Sequence, residues 1–249
     1  MLNIVLPIAG RGSRFAVAGY QQPKPLIPVH GSPMIAAVVR NVRPNRPHRF
    51  IFVALSEHLE HAGMRNALEE AAPGCIIVPV NEVTEGAACT VLLARQHIDT
   101  DAALMLANSD QWVALDINAY LDAMDEQRAD GLIMTMKADD PKWSFVGLDR
   151  RNFVTRVVEK EVISDEATVG IYNFRRGSDF VRAADRMIAN NLRVNNEFYV
   201  APVYNELIED GARVAIYNVG REGAGMYGLG IPSDLDKFLA DPISLRAVA

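Results

Sequence analysis

Apolar residues fall into short unbroken runs over the first half of the chain, at Leu2–Ile8, Phe50–Leu55, Ile76–Val80 and Leu104–Ala107. Runs of this length, rich in Ile, Val and Leu and without polar alternation, predict strands covered on both faces. Between them the apolar positions recur at helical spacing, at about Met34–Val42, Glu57–Ala71 and Gly86–His97. Strands separated by helices imply right-handed βαβ crossovers and a mostly parallel sheet. The second half is denser in strands, expected at Asp130–Met136, Phe145–Leu148, Val154–Glu159, Thr168–Phe174 and Val214–Val219. Helices are expected there at about Ser178–Asn190, Val200–Glu209 and Asp234–Leu239. The pattern predicts an α/β fold, a mostly parallel mixed sheet flanked by helices, with a subdomain in the second half. No repeat or low-complexity linker divides the chain, so 1–249 reads as one domain with an uncertain internal boundary near residue 110.

In such a sheet, ligands bind at the carboxyl ends of strands where the chain order reverses. That rule draws the loop after the first strand and Asn108-Ser109-Asp110 after the fourth to one edge. The loop reads Leu-Pro-Ile-Ala-Gly-Arg-Gly-Ser-Arg-Phe from residue 6, then Pro-Lys-Pro-Leu-Ile-Pro-Val from 23 and Gly-Ser-Pro from 31. Its small residues let backbone N–H groups approach an anion, and Arg14 and Lys24 can neutralise one, so it suits a polyphosphate. A Walker A loop is excluded because no Lys-Ser or Lys-Thr follows Gly12. A dinucleotide fingerprint is disfavoured by Phe15 and by Pro23, Pro25, Pro28 and Pro33, which keep the next segment out of a regular helix. Asp110 alone would be a turn or cap residue. Beside a polyphosphate loop it becomes a candidate for holding Mg²⁺, whose hard character suits carboxylate oxygen.

Composition narrows the classes without selecting one. Hydrophobic residues make up 49% and charged residues 22% of 249 residues, as in an ordinary globular domain. A net charge of −6 argues against a nucleic-acid-binding surface but leaves room for one small anion held by local cations. Cys75 and Cys89 are too few for a disulfide framework and lack metal-ligand spacing. No apolar run approaches a membrane span, so the expectation is a cytoplasmic protein without a membrane partner, with self-association left open.

Taken in order, the loop, Asp110, Val158-Glu159-Lys160 and Gly170-Ile171-Tyr172-Asn173-Phe174 resemble the sugar-phosphate nucleotidyltransferases, from about Leu2 to Phe238. The resemblance implies a Rossmann-like fold, with a nucleotide-binding half to about residue 110 and an acceptor-binding half beyond it. It also implies an Mg²⁺-dependent enzyme that joins an NTP to a sugar 1-phosphate and releases pyrophosphate. By the same resemblance, Ala9, Gly10 and Gly12 face the nucleotide, Arg14 the triphosphate, and Lys24 the reacting α-phosphate. Thr84-Glu85-Gly86 matches the nucleobase segment, with Glu85 and Gly86 as binding residues, although Thr84 or Glu85 could equally start a helix. Asp110 matches the metal-binding aspartate. Glu159 and Lys160 match a pair that contacts the sugar and the acceptor phosphate, with Gly170 allowing close approach and Glu197 a weaker acceptor candidate. Adjacent strand residues point to opposite faces, so Glu159 and Lys160 reach one ligand only if the strand ends or bulges between them.

One departure stands out. Many members place a metal-binding aspartate two residues before the glycine of the closing motif, where Met226-Tyr227-Gly228-Leu229-Gly230 carries Gly228. Three other readings therefore stand beside the leading one. A cytidylyltransferase for an amino-alcohol or amino-acid phosphate would share every motif. A catalytically silent nucleotide-binding protein would explain Gly228. A nucleotide-sugar-dependent glycosyltransferase would need an Asp-x-Asp that Ser109-Asp110-Gln111 does not supply.

Overall fold

Both faces of the first strand, β1 (Leu2–Ile8), are covered in the computed structural model, which describes residues 1–249. Ile4, Leu6 and Ile8 enter one apolar layer and Val5 the other, which is why the run carries no polar alternation. The first half continues through helices α1 (Ser13–Val17), α2 (Met34–Val42), α3 (Ser56–Glu60), α4 (Met64–Ala71), α5 (Ala87–Leu92) and α6 (Arg95–Ile98). Its further strands are β2 (Pro28–Val29), β3 (Ser32–Pro33), β4 (His48–Leu55), β5 (Ile76–Val80) and β6 (Ala103–Ala107). The second half supplies β7 (Gln111–Val113), β8 (Gly131–Lys137), β9 (Ser144–Leu148), β10 (Val154–Glu159), β11 (Glu166–Phe174), β12 (Val214–Glu222) and β13 (Gly225–Gly228). Its helices are α7 (Ile117–Glu126), α8 (Gly177–Ala189), α9 (Val203–Glu209) and α10 (Pro232–Ala240).

The main sheet runs β5-β4-β1-β6-β11-β8-β12-β13-β7, with β9 and β10 branching from β11. β5, β4, β1 and β6 are parallel, as are β8 and β12, while β11 lies antiparallel to both β6 and β8. The sheet is thus mixed and mostly parallel, and it continues from one half of the chain into the other. From β1 the chain moves outward to β4 and β5, then returns to pair β6 on the opposite side of β1. This reversal opens a crevice at the carboxyl ends of β1 and β6.

Several elements differ from the sequence expectation. The helix expected over Glu57–Ala71 divides around Gly63, whose φ of 89° does not continue a helix. The helix expected from Gly86 starts at Ala87 and breaks after Leu92. Helix α7 was not anticipated, although Ile117, Tyr120, Leu121 and Met124 mark its buried face and Asp116 caps it by accepting from Asn118 N–H. The short strands β7 and β13 pair with each other, Trp112 opposite Tyr227, and are too brief to show a period. No helix is long and apolar enough to cross a membrane.

Candidate active site

The crevice is a cleft of about 370 Å³. Its floor is the end of β1 and the loop through Gly10 and Gly12. Lys24 flanks it on one side, Thr84, Gly86 and Ala87 on another, and Asn108 to Asp110 follow β6. Gly12 adopts φ 63° at the start of α1, where its carbonyl accepts from the N–H groups of Phe15 and Ala16. A Cβ on Gly12 would stand 3.2 Å from Lys24 Cβ, so this glycine lets the Pro-Lys-Pro segment close over the loop. Ala9 and Gly10 line the cleft as expected positions, whereas Arg14 stands exposed outside that lining and its guanidinium has no protein hydrogen-bond or ion-pair partner.

Lys24 Nζ donates to Asp110 Oδ2 at 2.5 Å, bringing together two residues separated by 86 positions. Their side chains are 18% and 33% exposed, so both remain reachable from the cleft. Asp110 is accommodated by a second glycine: a Cβ at Gly230 would lie 2.9 Å from its Oδ2. Gly228 lies beside another carboxylate, since a Cβ there would stand 3.4 Å from Asp234 Oδ2. Nowhere do three or more His, Cys, Asp or Glu side chains gather to hold a metal ion. The carboxylates lining the cleft, Asp110 and Glu197, suit a hard cation that arrives with phosphate and water ligands of its own.

A second cavity, about 180 Å³, adjoins the cleft, and Ala87 and Asn108 line both. Trp143, Ser144, Glu159, Gly170, Tyr172 and Tyr199 form its walls. The strand ends between Glu159 and Lys160, although only Glu159 lines this cavity. β10 ends at Glu159, and Lys160 turns into the left-handed region at φ 58°, its N–H donating to Trp143 C=O. Lys160 Nζ then reaches back to donate to Tyr199 Oη at 2.8 Å. That bond holds the ammonium above the ordinary lysine range, while burial raises the Tyr199 phenol, so at neutral pH the pair is ammonium donor and neutral phenol. Glu197, expected on the same side as Glu159, lines the first cleft instead.

Burial pushes the Glu159 carboxyl above the usual glutamate range, against the lowering effects of the Ser144 hydroxyl, which donates to Oε2, and of Lys160; Glu197 adds to the rise. A carboxyl whose folded pKa exceeds its unfolded value stabilises the fold below the ordinary glutamate range and loses that contribution as pH rises through the raised value. Glu159→Gln is therefore expected to raise Tm near neutral pH by a few degrees, with the gain vanishing under acid conditions. Parallel melts of both proteins across pH check this, and identical Tm values throughout would show that burial does not penalise the carboxylate.

Two glycines assigned to ligand approach have protein neighbours. A Cβ at Gly86, whose φ is 134°, would fall 2.5 Å from both the N and O of Phe198. A Cβ at Gly170, φ 88°, would run into Asn108 Nδ2 and lie 2.8 Å from Gln111 Oε1. Each glycine therefore joins parts of the wall, whatever else approaches it. The side chain of Glu85 lies outside the cleft lining and pairs with Arg193 at 3.2 Å. Thr84 and Thr90 hydroxyls both donate to Gly86 C=O, at 2.9 and 3.2 Å, fixing the backbone that does face the cleft. Trp143 and Arg193 were missed by sequence reasoning, and Asn108 was placed on the functional edge without a role of its own. Asn108 carried a signal, being polar at the end of a buried strand; Trp143 and Arg193 come from irregular segments that show none.

Residues 3–209 match the family model described as nucleotidyl transferase. Among curated proteins, the bifunctional protein GlmU of Burkholderia thailandensis is 26% identical over 223 residues, covering 86% of this chain and 46% of its own length. The chain thus spans about half the length of the curated relatives it matches. Among solved structures, a nucleoside-diphosphate-sugar pyrophosphorylase from Vibrio cholerae RC9 superposes with a TM-score of 0.80 at 26% identity, covering 97% of this chain and all of that one. A UTP-bound UGPase from Acinetobacter baumannii, at 16% identity and TM-score 0.74, covers 96% of this chain and 92% of its own and shares the fold.

Proposed function

The chain belongs to the nucleotidyl transferase family, and from that premise we propose that it joins an NTP to a sugar 1-phosphate with Mg²⁺ and releases pyrophosphate. The product would be a nucleotide-activated sugar for glycan or surface-polysaccharide assembly. The observation that carries this reading is the pair of adjoining cavities, one floored by the glycine loop and Lys24, the other walled by Glu159 and Tyr199, with Asn108 common to both. The resemblance to the Vibrio cholerae protein over its whole length supports it.

In the proposed reaction an acceptor phosphate oxygen attacks the α-phosphorus, the new P–O bond forms, and the bond from the α-phosphorus to the α–β bridging oxygen breaks as pyrophosphate leaves. Two anions must meet while charge moves toward the leaving group, so positioning and neutralisation do most of the work. Lys24 supplies a compact charge beside Asp110, and exposed Arg14 can swing its planar fork onto phosphate oxygens. Glu159 accepts hydrogen bonds from acceptor hydroxyls, and Lys160 meets the acceptor phosphate. Mg²⁺ entering with the triphosphate would be held by Asp110 and would neutralise phosphate charge.

A panel of NTPs crossed with sugar 1-phosphates, read by Mg²⁺-dependent pyrophosphate release, tests this. Turnover with at least one pair is expected; tight NTP binding without turnover on any acceptor would favour a silent nucleotide-binding protein. Phosphoethanolamine and phosphocholine belong in the panel with CTP, because the acceptor cavity carries three aromatic rings, Trp143, Tyr172 and Tyr199, beside a buried carboxylate. Rings and a carboxylate together also suit an ammonium-bearing acceptor.

A further inference from the structure

One short segment touches both cavities. Glu197 lines the cleft, Tyr199 lines the second cavity, and Phe198 between them is fully buried. The main chain of Phe198 is bonded to the segment matched to the nucleobase in both directions: its N–H donates to Glu85 C=O at 2.8 Å, and its C=O accepts from Ala88 N–H at 3.0 Å. Gly86 lies so close between these bonds that no Cβ could fit there. The segment approaches through left-handed residues Asn191, Asn195 and Asn196. Arg193 closes it from outside, with its guanidinium 4.4 Å over the Phe198 ring and donating to Glu85 Oε2 at 3.2 Å. From Phe198 the next residue is Tyr199, whose oxygen accepts from Lys160 Nζ.

These contacts form an unbroken path from Thr84–Ala87, through the Phe198 backbone and Tyr199, to Lys160. We propose that Arg193–Tyr199 is a strap that couples nucleotide binding to acceptor binding, with Arg193 and Tyr199 as positioning residues that set where Lys160 stands. The inference rests on the nucleotidyl-transfer reading. A nucleotide that draws Thr84–Ala87 onto its base pulls the strap with it, because two main-chain hydrogen bonds and a glycine without clearance leave little slack. Lys160 follows through its bond to Tyr199. Such coupling is reciprocal, so acceptor bound at Lys160 strengthens nucleotide binding by the same factor.

Hydrogen exchange on the full chain, with Mg²⁺ and each of ATP, CTP, GTP, UTP and dTTP in turn, reads the coupling without needing turnover. The nucleotide that slows exchange at residues 84–90 should also slow it at 197–200 and 158–161. Arg193→Ala frees the Phe198 ring and Glu85 but leaves the two main-chain bonds, so protection at 84–90 should persist while that at 158–161 weakens, and Arg193→Lys, which keeps the charge facing Glu85, should restore part of it. With the substrate pair that turns over, Tyr199→Phe should raise acceptor KM about fivefold or more, at the low end of typical coupling factors, and weaken NTP binding in the presence of acceptor in step, with NTP affinity in the absence of acceptor and Tm nearly unchanged. Protection confined to 84–90, together with an unchanged acceptor KM in Tyr199→Phe, would overturn the strap while leaving nucleotide binding intact. No protection at 84–90 with any nucleotide would overturn the nucleotidyl-transfer reading and the strap with it.

Discussion

Lys24→Ala is expected to lower kcat/KM on the order of a hundred- to a thousandfold, the usual loss when one preorganised charge is removed from a transition state. The fold should barely register the change. The Lys24–Asp110 pair is partly exposed, at 18% and 33%. Pairs of that kind contribute about 1 kcal/mol or less to stability, so Tm should fall by roughly 2–4 °C at most. Alanine also keeps the Cβ that packs 3.2 Å from where a Gly12 Cβ would be, so the loop retains its closure. The asymmetry is the informative part: a group whose native partner is one partly exposed carboxylate, yet which lines the cleft proposed to take the triphosphate, should matter for turnover much more than for folding. Pyrophosphate-release kinetics and thermal melts on the same preparation check it. Normal activity per folded molecule, or a collapse of Tm, would refute the role.

Gly86→Ala should be strongly destabilising for a change of one methyl group. At φ 134° an L side chain is strained, and the new Cβ would lie 2.5 Å from Phe198 N and O. Those atoms belong to a buried backbone that is hydrogen-bonded on both sides, so no rotamer change relieves the clash. Strain of about 1–3 kcal/mol from the dihedral and a similar amount from overpacking put the loss at roughly 2–6 kcal/mol. For a chain of this size that corresponds to a fall in Tm of about 5 to 20 °C. Gly19→Ala is the control: its φ is 89°, but nothing lies within 4 Å of the added Cβ, so only the dihedral strain remains. Denaturant melts of both variants separate the two contributions, and equal destabilisation would mean that the Phe198 backbone yields freely.

The legible part of the fold was the part with a long period. β1 and α2 lie where the apolar pattern put them, because each is long enough to show burial on both faces or on one stripe; β5 keeps its expected bounds but, as the edge strand of the sheet, buries only Val80 rather than both faces. α7 is equally periodic, its stripe of Ile117, Tyr120, Leu121 and Met124 standing in the sequence as plainly as that of α2. β7 and β13 were different, being short strands whose existence depends on finding each other across 113 and 226. At the site, the glycine loop, Lys24 and Asp110 were readable because their residue types follow buried strands and the sheet rule brings strand ends together. Glu85 and Glu197 were placed less well, since the direction of a side chain on an irregular segment depends on what packs behind it. Arg193 turns Glu85 outward, and the strap carries Glu197 into the cleft and Tyr199 into the neighbouring cavity.

By itself the sequence determined the layered α/β architecture, the sheet edge at which the glycine loop and Asp110 gather, and the kind of charge found there. These follow from local periodicity and from a topological rule that needs no coordinates. Only the tertiary structure decided that Lys24 meets Asp110, that Asp234 stands nearest Gly228, and that Gly86 and Gly170 make room for neighbouring protein. Those facts concern residues far apart in the chain, whose distances are set by packing density and close approach of backbones rather than by any pattern of neighbours in sequence.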